Sequence, residues 1–185
     1  MPAKSDNWII KMSQEKGMIE PFEASQIKKG NISYGVSSYG YDLRLFDEYR
    51  VPERTPQDLT IDPKNLDTSV YKNVKTAVLE IEPGQTVLGR SLEYFRIPRD
   101  IIVLCFGKST YARCGLLVNI TPLEPEWEGF ITIAISNISS SKVRAYSMEG
   151  ISQAVFIESD ETCAVSYADK GGKYQAQKAI TFAKI

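Results

Sequence analysis

The chain of 185 residues contains no histidine. That absence removes Ser-His and Cys-His nucleophilic catalysis and every histidine-containing metal site. A general base here has to be a carboxylate or, less readily, a lysine, cysteine or tyrosine. Cysteine is also scarce. Cys105, Cys114 and Cys163 are odd in number and widely spaced, which fits reduced structural thiols rather than a disulfide framework or a metal knuckle. No apolar run approaches the ~18 residues that a membrane span needs. The opening "MPAKSDNW" holds no apolar signal core. The expectation is a cytoplasmic protein with no membrane partner. An excess of either charge is missing too, with 22 Lys+Arg against 23 Asp+Glu. No global field draws the chain to nucleic acid, so any anionic ligand must be held by a local cluster.

What is present describes one domain spanning 1–185. Hydrophobic residues at 43% are enough for a real core in a chain of this length. "SDNWIIKMSQEKG" reads as a helix, with Ser5 or Asp6 as cap, Trp8, Ile9 and Met12 on one face, and Gly17 as the stop. From residue 37 onward short strands alternate with turns: "YGYDLRLF", "AVLEI", "QTVLGRS", "IIVLCF", "LLVNI", "FITIAIS", "KVRAYS" and "ISQAVFIE". Glu82-Pro83-Gly84-Gln85 has the composition of a type II turn. Closely spaced strands of this kind predict a mainly β fold, a sandwich or jelly roll, with a short N-terminal helix.

Three segments carry candidate chemistry. In "GFITIAISN", residues 129–137, Ile131, Ile133 and Ile135 form a core face, while Thr132, Ala134 and Ser136 form a face of small side chains. So small a face suggests close packing against another sheet or a ligand. In "FGKSTYARCG", residues 106–115, Gly107, Lys108, Ser109, Thr110 and Arg113 follow an apolar strand. A P-loop would need glycine at position 102, where Ile102 stands. The segment remains an anion cradle or, equally, a capped turn with a solvated lysine. Residues 166–179, "SYADKGGKYQAQKA", are polar and basic with two tyrosines. Composition alone favours a frayed tail over a lid closing on an anion.

Taken together, "SSYGYDLR", "GKSTYARCGLLVNITPLEPEWEGFITIAISN", "EGISQAVF" and "SYADKGGKYQAQKA" closely resemble the dCTP deaminases of the dUTPase-like superfamily, and the likeness runs over nearly the whole chain. The resemblance implies a distorted jelly roll and a homotrimer with sites between subunits. It also implies a zinc-free hydrolase of nucleotide metabolism that converts dCTP to dUTP and ammonia, with Mg2+ bound through the triphosphate and dTTP as a feedback inhibitor. The lack of a His/Cys cluster agrees with a metal-free route. Carried over residue by residue, Ser109 holds the attacking water or the leaving amine, a carbonyl near Thr121-Pro122 assists, and Arg113 balances charge. Lys108, Ser109, Thr110, Tyr111, Ala112 and Arg113 contact the nucleotide, Thr132 and Ile133 lie along base and sugar, and Gln153 is a further ligand. Tyr167, Lys173 and Gln177 become triphosphate ligands, which turns 166–185 into a C-terminal lid.

The family's general base, a glutamate, belongs where this chain has Ala134. Loss of general acid-base catalysis costs roughly 10²- to 10⁴-fold, so the expectation is a binding site that barely turns over. The intact surroundings favour an introduced glutamate-to-alanine change over a natural non-catalytic homologue that binds dCTP or dTTP. A further alternative is a bifunctional deaminase and dUTP pyrophosphatase. Glu124, Glu126 and Glu128 are expected on a solvated acidic loop rather than as a substitute base.

Overall fold

The computed structural model describes residues 2–53 and 60–184. The N-terminal helix α1 spans Asp6–Lys16 and stops at Gly17, whose φ of 63° supplies the left-handed cap expected of it. It turns Ile9 into the core, with Trp8, Ile10 and Met12 packed at its margin. The strands are β1 (Ile19–Glu20), β2 (Gly35–Ser37), β3 (Gly40–Arg44), β4 (Glu48–Pro52), β5 (Tyr71–Lys75), β6 (Val78–Ile81), β7 (Thr86–Arg96), β8 (Ile101–Gly107), β9 (Leu116–Asn119), β10 (Glu128–Asn137), β11 (Val143–Tyr146) and β12 (Gly150–Glu158). A one-turn helix α2, Ser109–Arg113, lies between β8 and β9.

All eight strands legible in the sequence are present, as is the turn before β7, where Gly84 has φ 73° and Gln85 N–H donates to the Glu82 carbonyl. The short or polar strands β1, β2, β4 and β5 escaped the sequence reading. No residue of β5 is fully buried, and the strand is held by five paired positions along β4, so main-chain pairing more than burial defines it.

The strands form a six-stranded sheet with path β5-β4-β7-β10-β9 and β1 on β7, a four-stranded sheet β2-β3-β12-β8, and a β6-β11 pair. Inward residues of the two large sheets make one core, including Val87 and Phe95 of β7, Ile131, Ile133 and Ile135 of β10, and Ala154 and Phe156 of β12. Tyr41 of β3 meets Phe95 of β7 edge-on at 6.4 Å, the packing of a β-sandwich. Between the sheets the buried Glu93 carboxylate accepts from Arg44 Nε at 2.7 Å and Arg44 N at 2.9 Å. The outer face of the six-stranded sheet is what positions the site. One row across it runs Arg50, Leu88, Ala134, Asn119.

Candidate active site

The alternation of β10 sends Thr132 and Ala134 to that outer face, half-buried, while Ile131, Ile133 and Ile135 go to the core. Beside Thr132 the loop 120–127 rises as a wall, and the C-terminal segment folds across as a roof. They enclose a cavity of about 560 Å3 lined by Thr121, Glu124, Trp127, Thr132, Tyr167, Lys173 and Gln177 among others. The volume lies in the range of small-molecule sites, roughly 300–1,000 Å3.

Main-chain bonds hold the roof. Tyr167 N–H donates to the Pro125 carbonyl at 3.0 Å, Ala176 N–H to Glu128 at 3.0 Å, and Phe130 N–H to Gln177 at 3.0 Å. Side chains add to these. Trp127 Nε1 donates to the Tyr174 carbonyl at 2.9 Å, and Gln177 Nε2 donates to the Phe130 carbonyl and, at 3.3 Å, to Thr132 Oγ1. Tyr71 of β5 meets Phe182 with ring centroids 5.0 Å apart. The tail is therefore an ordered part of the molecule, contrary to what its composition favours. Gly172 is required here, since a Cβ at this position would come within 2.1 Å of the Tyr167 ring.

Thr132, Tyr167, Lys173 and Gln177 thus come together at one cavity. Ala134 stands two residues further along the same face, about 7 Å from Thr132 at the rise of a strand. Ile133 is fully buried, with its side chain in the core. The α2 run is elsewhere. Ser109, Thr110, Ala112 and Arg113 are exposed on the short helix, where Arg113 Nη1 donates to the Ser109 carbonyl at 3.0 Å. Thr110 lines a second, open cavity with Lys28, Ser33, Tyr146 and Glu149.

Three of the candidates are otherwise engaged. Lys108 Nζ turns inward to Asp42 Oδ2 at 2.7 Å and Ser33 Oγ at 2.9 Å. Tyr111 packs in the core at 2% exposure, and its hydroxyl accepts from Tyr146 N–H at 3.0 Å. Its side chain is thereby withdrawn from the nucleotide-contacting run expected of 108–113. Gln153 donates to Ser37 Oγ at 3.0 Å on the four-stranded sheet.

The acidic loop is less bland than the sequence suggested. Glu124 lines the cavity and pairs with Lys170, while Glu126 pairs with Arg99 at 2.6 Å. Arg99 also holds Asp169 at 2.7 Å. That bond, with a second from Ser166 N–H, pulls the Asp169 carboxyl down to about 2. Neither Arg99 nor Asp169 was singled out from the sequence. The one available signal was the Ser166-x-x-Asp169 spacing of a capping box.

The sequence profile of the dCTP deaminase-like family matches residues 3–159. The chain is 50% identical over 188 aligned positions to a dCTP deaminase of Herminiimonas arsenicoxydans, and 52% identical over 188 to one of Azotobacter vinelandii, with 100% of both chains covered in each case. Among solved structures it resembles 2'-deoxycytidine 5'-triphosphate deaminase from Agrobacterium tumefaciens at a TM-score of 0.64 and 13% identity. That match covers 85% of this chain and 48% of the other, so this chain spans about half the length of that relative, and the likeness speaks for the fold. The architecture is a mainly β fold with a short N-terminal helix, and the chain belongs to the dCTP deaminase-like family.

Proposed function

We propose that this chain has the scaffold of a dCTP deaminase, that it binds dCTP under the C-terminal roof as a lid, and that its turnover is impaired by Ala134. The observation that carries the reading is identity of about half, over the full length, with curated dCTP deaminases. The reaction adds water at C4 of the cytosine and expels ammonia, giving dUTP for the synthesis of dUMP and dTTP, with dTTP as inhibitor.

The geometry supports particular roles. Thr132 and Ile133 lie along base and sugar, a carbonyl near Thr121-Pro122 is the acceptor near the amine, and Tyr167, Lys173 and Gln177 hold phosphate oxygens from the roof. Lys173 Nζ donates only to the Lys184 carbonyl, at 2.6 Å, among the described residues, so exchanging that neutral acceptor for a phosphate gains a charge-assisted bond. No three carboxylate, thiol or imidazole groups converge among the described residues. A Mg2+ ion is proposed to accompany the nucleotide through its triphosphate oxygens.

Ser109 and Arg113 are not at the cavity of their own chain. A homotrimer is proposed to bring α2 of one copy to the cavity of the next, placing Ser109 by the attacking water and Arg113 by the charge that develops. At position 134 the alanine cannot take the water's proton. Replacement of a glutamate there accounts for a loss of roughly 10²- to 10⁴-fold. The non-catalytic homologue predicts the same binding with nothing to restore.

Ala134→Glu separates the two readings. With dCTP and Mg2+ the variant should release ammonia and dUTP at least 10²-fold faster than the parent protein. If dCTP binds and neither product appears, the assignment of position 134 is wrong. Pyrophosphate released from dUTP would instead reveal the pyrophosphatase.

A further inference from the structure

We infer that Arg99 is a positioning residue that fastens the C-terminal roof to the cavity wall. Its guanidinium joins three separate segments. Nη1 donates to Glu126 Oε2 at 2.6 Å on the wall, and Nη2 to Asp169 Oδ2 at 2.7 Å on the roof. The same Nη2 reaches the carbonyls of Ala164 at 3.3 Å and Cys163 at 3.4 Å, on the approach to the roof. Each of these groups is set in place by its own neighbours. The loop carrying Arg99 is tied to the wall by Ile97 N–H to the Trp127 carbonyl at 3.0 Å and Glu126 N–H to the Ile97 carbonyl at 3.1 Å.

On the roof side Ser166 and Asp169 exchange bonds. Ser166 N–H donates to Asp169 Oδ2 at 3.0 Å, and Asp169 N–H to Ser166 Oγ at 3.1 Å. Ser166 is 1% exposed, so the carboxylate is presented by a buried turn. Glu126 has φ 60°, a backbone that residues other than glycine adopt reluctantly, and the Arg99 contact holds its carboxylate. Without Arg99 the wall and roof would present two carboxylates to each other across the space a single guanidinium fills, so the loss is repulsion as well as a missing bond. A lysine has one compact ammonium and cannot serve two carboxylates in a fork.

Lys170 to Glu124 is a second, smaller fastening between the same two segments. The roof residues Tyr167, Lys173 and Gln177 and the wall residues Glu124 and Trp127 line the cavity together. Their spacing therefore depends on a side chain that does not line it.

The positioning rests on geometry alone, whereas its consequence for dCTP rests on the proposed function, and the experiment separates the two. In a Trp8→Phe background Trp127 is the single tryptophan of the original two, and its indole donates to the roof. Without nucleotide, Arg99→Ala should red-shift Trp127 emission and speed tryptic cleavage after Lys170 and Lys173 about tenfold. Arg99→Lys should fall between this variant and the parent.

The urea midpoint of the β-sandwich, read by circular dichroism, should stay where it was. Unchanged emission and cleavage would overturn the inference, and so would a midpoint that falls in step with them, because Arg99 would then be supporting the fold as a whole. Titration with dCTP should show roughly tenfold weaker binding by Arg99→Ala. If the parent protein binds no dCTP while the proteolysis pattern holds, the function proposed above fails and the role of Arg99 stands.

Discussion

Glu93→Gln tests what joins the two sheets. Glu93 is fully buried on β7, and its carboxylate takes both Nε and N of Arg44 on β3. The Tyr41 hydroxyl adds a longer bond at 3.4 Å. A glutamine of the same shape keeps one acceptor oxygen and turns an NH2 donor toward a group that is itself all donors. Breaking a buried pair by removing one charge costs about 3–5 kcal/mol. The Arg44 side chain retains 15% exposure and lies 4.9 Å over the Tyr34 ring, so water and the ring offset part of the loss. The lower end, about 3 kcal/mol, is expected.

With a urea m-value of about 2 kcal/mol/M, the unfolding midpoint should drop by about 1.5 M at constant slope. Protein concentration has to be held fixed, because the subunit association proposed above would shift apparent stability by mass action. The double change Glu93→Leu with Arg44→Met removes both charges and both desolvation costs, and should recover at least half of the loss. A midpoint shift below about 0.5 M for the single variant, or a double variant worse than the two single changes combined, would refute the argument.

Two further outcomes follow from the same geometry. Burial pushes the Tyr49 hydroxyl up to about 12 and raises those of Tyr41 and Tyr111 as well. Stability from these groups is fully present below an unfolded tyrosine's value near 10 and is lost as pH rises through the folded values, so phenolate absorbance should show a late step that coincides with loss of circular dichroism; complete titration of all ten tyrosines before unfolding would contradict this. Gly172→Ala should drive the Tyr167 ring off its hydrogen bond to Tyr174 N–H, with faster tryptic cleavage after Lys173 and a sandwich stability within about 0.5 kcal/mol of the parent.

Legibility in this chain follows the kind of force that places each element. β10 announced itself because its two faces meet different surroundings, and alternation of isoleucine with small residues is the direct record of that difference. β7 was read short, as 85–91, because Ser91 and Glu93 are inward polar residues that break the apolar period. They lie inside because each has a partner. Ser91 Oγ receives Ile131 N–H where the β7-β10 register shifts, and Glu93 has Arg44. A sequence shows the polar residue and hides the partner. At the roof the resemblance offered a reading where periodicity has nothing to say about "SYADKGGKYQAQKA".

The roof shows why composition misjudged it. Part of its attachment is main chain to main chain, as in Tyr167 N–H to Pro125 and Phe130 N–H to Gln177. Any residue but proline supplies those donors, so the attachment leaves no compositional trace. What the side chains do record is the need to fit: glycine at 172 under a tyrosine ring, and serine three before aspartate at 166 and 169. The α2 run is the opposite case. "KSTYAR" was legible as chemistry, yet Lys108 is spent on Asp42 and Tyr111 on the core, leaving Ser109, Thr110 and Arg113 facing outward with little to hold. Displayed beside the exposed Phe106 and Leu117, they have no catalytic role in the cavity of their own copy. The trimer proposed above gives them one, and it makes the distance from α2 to the cavity a property of the assembly and not a fault in the site. Mixing Ala134→Glu chains with chains that keep Ala134 and carry Ser109→Ala tests this. If each site draws Ser109 and position 134 from different copies, activity should follow the square of the fraction of Ala134→Glu chains, and strict proportionality to that fraction would place the whole site in one chain.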